Sequence, residues 1–236
     1  MTQEVDLILP CYNPPGDFVH IIHKNYQYLS TYFPDRKINL FVVNDGSKHN
    51  FTCIEIDELK SLNRDTRIIS YPSNRGKGYA LRKAVALTSS PFIIYTDYDF
   101  PFRTGSMIKV IEELDKGADI VLVSRNHDYV RALTPMRKFY SSMSKRLNKH
   151  LLKMEYFETQ GGLKGFNARG KEIFLKTTID EFLFDTEFIY RASLQKDITI
   201  INVDGVTREN LKPNKVPIRV VKKEVVNFFR ILRIKN

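Results

Sequence analysis

Asp97-Tyr98-Asp99 follows directly on the apolar run Phe92–Thr96. Two carboxylates one residue apart at a strand end suit a hard divalent cation held beside a diphosphate, where the cation neutralises charge on a departing nucleotide. Such a pair also caps helices and stabilises turns, so its place after a buried strand is what favours the cation. Asn74-Arg75-Gly76-Lys77-Gly78 is a glycine-flanked basic turn that opens a helix. It could present backbone N–H groups and cations to phosphate. It matches neither the Walker nor the Rossmann glycine spacing, and a plain helix entry would use the same glycines. Asp45, ahead of Gly46, is placed either to accept hydrogen bonds from a nucleobase or ribose, or to close an Asx turn. Thr159-Gln160-Gly161-Gly162 has paired glycines that let backbone approach a ligand closely. Phe184-Asp185-Thr186-Glu187 puts two acids in an apolar stretch before a helix. Asp185 could serve there as an N-cap, Glu187 as a solvated or arginine-paired acid, and either as a general base toward a hydroxyl.

These residues need a scaffold, and the hydrophobic periodicity supplies one. Strand signals at 5–9, 38–43, 66–71, 92–96 and 120–123 alternate with helix signals at 17–32, 52–62, 77–88 and 106–114. Alternation of this kind predicts an α/β fold, with a mainly parallel sheet and helices on both faces. Ligands in such folds bind at the carboxyl ends of the strands. The polar clusters Pro10-Cys11-Tyr12-Asn13, Asn44-Asp45-Gly46-Ser47 and Asp97-Tyr98-Asp99 all fall at those ends.

The chain of 236 residues suits one domain with an appendage, predicted as residues 1–215 plus a basic amphipathic helix over 216–236. Its composition, 42% apolar and 27% charged, is that of a soluble globular protein. No apolar run reaches the roughly 18–20 residues of a membrane span. The N-terminus has an acid where a secretory signal needs bases, which predicts a protein that is not secreted. Cys11 and Cys53 offer no disulfide framework or metal spacing and read as buried thiols. The formal charge of +10 is unevenly spread. Residues 125–153 carry eight bases and one acid, and residues 206–236 nine bases and two acids, so each segment is +7 and the remaining body is −4. Met136, Tyr140, Met143, Leu147 and Leu151 form an apolar stripe in the first segment; Ile218, Val221, Val225, Phe228 and Leu232 form one in the second. Basic amphipathic helices lie on anionic membranes, or dock on their own protein's core.

Taken together, and in their order along the chain, Pro10-Cys11-Tyr12-Asn13, Val43-Asn44-Asp45-Gly46-Ser47, Asn74-Arg75-Gly76-Lys77-Gly78 and Asp97-Tyr98-Asp99 resemble the family 2 glycosyltransferases of GT-A (Rossmann-like) fold. Ser124-Arg125, Arg137-Lys138 with Ser141, Thr159 to Phe166, and Phe184 to Glu187 are similar to the dolichyl- and polyprenyl-phosphate glucose or mannose synthases within that family. The likeness spans roughly residues 4–210. The resemblance implies that Pro10, Tyr12, Asn13 and Asp45 meet the nucleotide, with Lys77 nearby. It places Asp97 at the ribose or donor sugar and Asp99 on Mg²⁺ or Mn²⁺. Gln160, Gly161 and Gly162 line the sugar pocket, and Arg125, Arg137, Ser141 and Arg208 hold the acceptor phosphate. Three departures stand out. Pro101 replaces a polar residue after the second acid, leaving the metal shell one side chain short. Glu158 stands where aspartate is common, and Gly162-Leu163 where Cys-Phe or Gly-Phe is common.

The expected activity is inverting transfer of a hexose from a nucleotide-sugar to a polyprenyl phosphate, with the enzyme peripheral on the cytoplasmic face of a membrane. The alternative is transfer to a saccharide hydroxyl in surface polysaccharide or glycolipid synthesis, for which Asp185 or Glu187 would act as base. Nucleic acid is the disfavoured partner, because no stacking platform or recognition motif accompanies the positive charge. A homo-oligomer stays open.

Overall fold

The computed structural model describes residues 3–63, 65–125, 149, 152, 159, 161–208 and 218–234. Among the described residues, fourteen elements run in the order β1 (Val5–Cys11), α1 (Phe18–Tyr32), β2 (Ile38–Asp45), α2 (Cys53–Leu62), β3 (Arg67–Tyr71), α3 (Lys77–Val85), β4 (Phe92–Tyr95), α4 (Thr104–Asp115), β5 (Ile120–Arg125), β6 (Lys164–Phe166), α5 (Ala168–Leu175), α6 (Phe184–Ser193), β7 (Ile200–Gly205) and α7 (Ile218–Leu232). The seven strands form one sheet in the order β3-β2-β1-β4-β6-β5-β7. Every pairing is parallel except those of β6, which runs antiparallel to both β4 and β5. The expected mainly parallel α/β sheet is therefore present, with two strands that the periodicity did not signal.

Two apolar cores cover the two faces. Val5, Leu7 and Leu9 of β1 point into a core built with α1, α2 and α4. Ile8 and, from β2, Phe41 and Val43 point into the other core, built with α3, α5, α6 and Ile231 of α7. This alternation follows from the two-residue period of a strand. Because β1 is covered on both sides, its sequence reads as continuously apolar. Local signals set helix boundaries. Thr52 accepts from the Ile54 N–H while Glu55 accepts from the Thr52 N–H at 2.7 Å, a capping box that starts α2.

Three residues make β6, and only one of them, Phe166, is a strong strand former. Its central Gly165 lets α4 pack closely, since a Cβ there would lie 2.4 Å from Val110 Cγ1. Cys11 is buried as expected, whereas Cys53 is exposed at the first turn of α2, away from the core-facing Leu59.

The helix expected at 216–236 is α7, Ile218–Leu232, and its apolar stripe is divided between the core and the outside. Asn227 and Ile231 are buried and Phe228 packs against the core, while Val225, Val226, Phe229 and Leu232 face outward. Polar docking decides this rotation. Glu224 accepts from the N–H groups of Phe182 and Leu183 at 2.9 and 3.1 Å, and Glu181 accepts from Lys223 and Asn227. Most of the other basic segment, including Arg137 and Ser141, lies outside the described residues. No described helix is long and apolar enough to cross a membrane.

Candidate active site

The site lies at the carboxyl ends of the central strands. β1 runs through Pro10 to Cys11, and Asn13 follows with a left-handed φ of 45°. The Asn13 N–H donates to Ser47 Oγ at 2.9 Å, and the Lys48 N–H donates to Asn13 Oδ1 at 2.8 Å. These bonds join the loops after β1 and β2 and leave Tyr12 exposed above them.

Asp45 ends β2 and is buried. Its carboxylate accepts from Asn74 Nδ2 and the Arg75 N–H, each at 2.7 Å, and from the Gly76 N–H at 3.1 Å. Asp45 thus anchors the basic turn. Gly76 has φ +100° and carries the chain past Asp180, whose carbonyl oxygen a Cβ would approach to 2.4 Å; only glycine adopts that backbone without strain. Beyond it, Arg75 lies over the Tyr79 ring, 4.4 Å from its centroid.

Lys77, the first residue of α3, reaches across the strand ends and pairs with Asp97 at 2.6 Å. Burial pulls its ammonium pKa down, but Asp97, Asp185 and Asp99 outweigh that and raise it. Lys77 therefore stays charged. Asp97 and Asp99 flank Tyr98 in a turn closed by the Phe100 N–H donating to the Asp97 carbonyl at 2.9 Å. Phe100 takes a left-handed φ of 45°, a strained conformation for a bulky residue, and is held there by burial. Burial, then the charge of Asp97, pushes the Asp99 carboxyl above its ordinary range, with Arg208 and Lys77 opposing. Burial and Asp99 push the Tyr98 phenol up to about 12. Burial, with Asp97 and Asp99, likewise pushes the Cys11 thiol up and keeps it neutral.

Arg208 arrives from the chain after β7. Its N–H donates to the Pro101 carbonyl at 2.9 Å, and its guanidinium donates to the main-chain carbonyl of Asp99. Arg125 closes β5 in register with Gly205. Gly161 and Gly162 lead into β6 and make close backbone contacts. A Cβ on Gly161 would lie 2.3 Å from the Val123 carbonyl oxygen, and one on Gly162 would lie 2.5 Å from Asp97 Oδ2. Gln160 lies outside the described residues.

The two acids of α6 are both buried. Asp185 is in the first helical turn, not at the N-cap, which is Leu183. It pairs with Lys164 at 2.8 Å and accepts from the Tyr95 hydroxyl. Glu187 accepts from the Thr178 and Ile179 N–H groups at 2.8 and 2.9 Å and from Arg191. Lys164 and Tyr95 carried no assigned role in the sequence reading. The available signal was a lysine set between apolar neighbours in Leu163-Lys164-Gly165-Phe166, where a charge must find a buried partner.

Asp97 and Asp99 suit a divalent cation chemically. They are hard oxygen donors at one turn, and burial, then the charge of Asp97, raises the Asp99 pKa, so a cation bound there would favour its ionised form. Among the described residues no group of three His, Cys, Asp or Glu could hold a metal by itself. Water and diphosphate oxygens are the donors that could complete such a shell beside these two carboxylates.

A family model for Glycosyl transferase family 2 matches residues 6–176. The chain belongs to that family. It is 26% identical over 116 residues to the dolichyl-phosphate beta-glucosyltransferase of Saccharomyces cerevisiae, covering 48% of this chain and 34% of that protein. It is 25% identical over 215 residues to a dolichyl-phosphate beta-glucosyltransferase of Trichomonas vaginalis, covering 84% and 62%. The chain thus spans between about a third and three fifths of these relatives' lengths. Among solved structures, glucosyl-3-phosphoglycerate synthase from Mycobacterium tuberculosis, in complex with Mn²⁺, UDP and glucosyl-3-phosphoglycerate, superposes with a TM-score of 0.66 at 14% identity, over 99% of this chain and 81% of that one. The fold is GT-A.

Proposed function

We propose that this protein transfers a hexose from a nucleotide-sugar, of UDP-glucose or GDP-mannose type, to a polyprenyl phosphate at a membrane surface, with inversion. The observation that carries this reading is the condition of Asp185 and Glu187. A hydroxyl acceptor needs a base, and both acids expected to supply one are buried and engaged by Lys164, Tyr95, Arg191 and backbone N–H groups. A phosphate monoester is largely dianionic at pH 7 and needs no strong base. It needs cations that position it, a role for Arg125 at the end of β5 and Arg208 beyond β7; the resemblance gives the same role to Arg137 and Ser141. The names of the two dolichyl-phosphate relatives support the same acceptor class.

In the reaction, an acceptor phosphate oxygen attacks the anomeric carbon from the face opposite the diphosphate. The bond from that carbon to the diphosphate breaks, and the nucleoside diphosphate leaves with its electron pair. Asp45, Tyr12 and Asn13 bound the nucleotide side, and Lys77 stays cationic beside Asp97 to meet phosphate charge. Asp99 would hold Mg²⁺ or Mn²⁺, which when bound offsets charge on the leaving diphosphate. The expected result is labelled product from nucleotide-sugar plus polyprenyl phosphate, and none from nucleotide-sugar plus free saccharides. Product on saccharides alone would sink this reading and favour transfer to a hydroxyl.

Membrane contact at the cytoplasmic face is assigned to α7. Val225 and Phe229, 53% and 57% exposed, lie outward with the bases Arg230 and Arg233 beside them. An apolar face flanked by bases suits an anionic bilayer. Replacing Val225 and Phe229 with serine should lower sedimentation with anionic vesicles about tenfold while nucleotide binding changes less than twofold. Unchanged sedimentation would make α7 a purely structural helix.

A further inference from the structure

Lys164 is 1% exposed. Burying an ammonium is costly unless its donors are satisfied. Here one donor meets Asp185 Oδ1 at 2.8 Å and another meets the Gly161 carbonyl at 2.6 Å. The ammonium also lies 5.5 Å from the centroid of the Tyr95 ring, whose hydroxyl donates to the same Asp185 oxygen. A well-packed apolar side chain would often stabilise such a position more than an ion pair does, so packing alone does not account for the lysine. What an apolar residue could not supply is the bond to Gly161. That bond grips the loop one residue before Gly162, whose α-carbon abuts the Asp97 carboxylate so closely that a Cβ would sit 2.5 Å from Oδ2. Asp97 is in turn oriented by Lys77. A continuous chain of contacts therefore joins Asp185, Lys164, Gly161, Gly162 and Asp97.

We propose that Lys164 is a positioning residue. Its ammonium, held by Asp185 beneath the sheet end, fastens the Gly161 carbonyl and so sets the Gly161–Gly162 backbone against Asp97, fixing the wall of the donor-sugar pocket. This rests on the reading of the site as a nucleotide-sugar site. Asp185 is then the counter-ion of a structural cation, not a proton acceptor for substrate.

The test replaces the pair without leaving a buried charge, as Lys164→Met with Asp185→Asn. Removing both charges together is close to neutral for folding. The donor KM is expected to rise about tenfold, the loss of one charge-assisted hydrogen bond, while the acceptor KM moves less than twofold. Amide exchange at Gly161, Gly162 and Leu163 is expected to speed up at least tenfold with no substrate present. A folded variant with wild-type donor KM and wild-type exchange at these amides overturns the proposal, as does a rise confined to the acceptor KM. Should the methionine variant not fold, Lys164→Gln with Asp185→Asn serves in its place. Glutamine is one atom too short to reach Gly161, so the same rise and the same overturning results apply. The exchange measurement separates this proposal from the functional reading. Wild-type protein that binds no nucleoside diphosphate, with or without Mn²⁺, overturns the nucleotide-sugar reading, and loop exchange then decides the tether by itself.

Discussion

Asp99→Ala is expected to abolish cation-dependent donor binding and to lower turnover by roughly three orders of magnitude. That factor corresponds to about 4 kcal/mol of transition-state stabilisation, in the range expected of a cation that neutralises a leaving diphosphate. Among the described residues no neighbouring side chain can substitute. Pro101 follows two residues later without a ligand atom, Asp97 is already paired with Lys77, and no third donor joins the two acids among the described residues. The fold should not suffer. Burial and Asp97 raise the pKa of Asp99. A carboxyl whose folded pKa exceeds its unfolded value favours the folded state below that pKa, and at neutral pH its charge works against folding. Removing it should therefore leave the metal-free melting temperature unchanged or higher, the usual relation between a strained site and stability. Thermal shift with UDP, GDP, CDP and dTDP, each with and without Mn²⁺, reads both effects, since a ligand bound only by the folded state raises its stability. A cation-dependent shift retained in this variant would refute the assignment of Asp99.

Asp185→Ala should behave in the opposite way. It leaves the Lys164 ammonium fully buried without its counter-ion, and breaking one side of a buried pair costs about 3–5 kcal/mol. For a chain of this size, that lowers the melting temperature by roughly 6–20 °C. A general base removed from an exposed pocket would instead cost turnover and leave melting nearly unchanged. A stable Asp185→Ala protein with turnover reduced a thousandfold would restore Asp185 as a base and, with it, a hydroxyl acceptor.

Asp99 and Asp185 show where sequence reasoning reaches. Asp97-Tyr98-Asp99 was legible because an apolar strand of the right length precedes it, and the carboxyl end of a parallel strand is where such a fold binds ligands. Lys77 was read from the glycine-flanked basic turn that opens a helix, whereas the same logic singled out Asp45. It left open whether Asp45 serves a ligand or a turn, and the structure shows it holding Asn74, Arg75 and Gly76. The acids of α6 were both candidate bases in sequence, Asp185 otherwise an N-cap and Glu187 otherwise arginine-paired, and Glu187 does pair with Arg191. Their partners, Lys164 and Tyr95 for one and Thr178, Ile179 and Arg191 for the other, come mostly from distant segments that no local pattern connects. β6 escaped notice because three residues carry too little periodicity to register. The α7 stripe left open whether it docks on the core or lies outward, and the structure divides it: Phe228 packs on the core while Val225 and Leu232 face outward, because hydrogen bonds with the 181–183 segment turn Asn227 and Ile231 inward.

By itself, then, the amino-acid sequence determined the alternating elements, the sheet's mainly parallel character and the strand ends where the chemistry gathers. Each of these follows from short-range periodicity and from turn residues read in order. Tertiary structure alone decided which charges are spent on the protein itself. Lys164 and Asp185 neutralise each other, whereas Asp99 is half-buried beside Asp97 with its pKa raised, first by burial and then by that second carboxylate. The physical reason is that the effect of a charge depends on its burial and on partners brought close by folding, neither of which is encoded within a few residues of it.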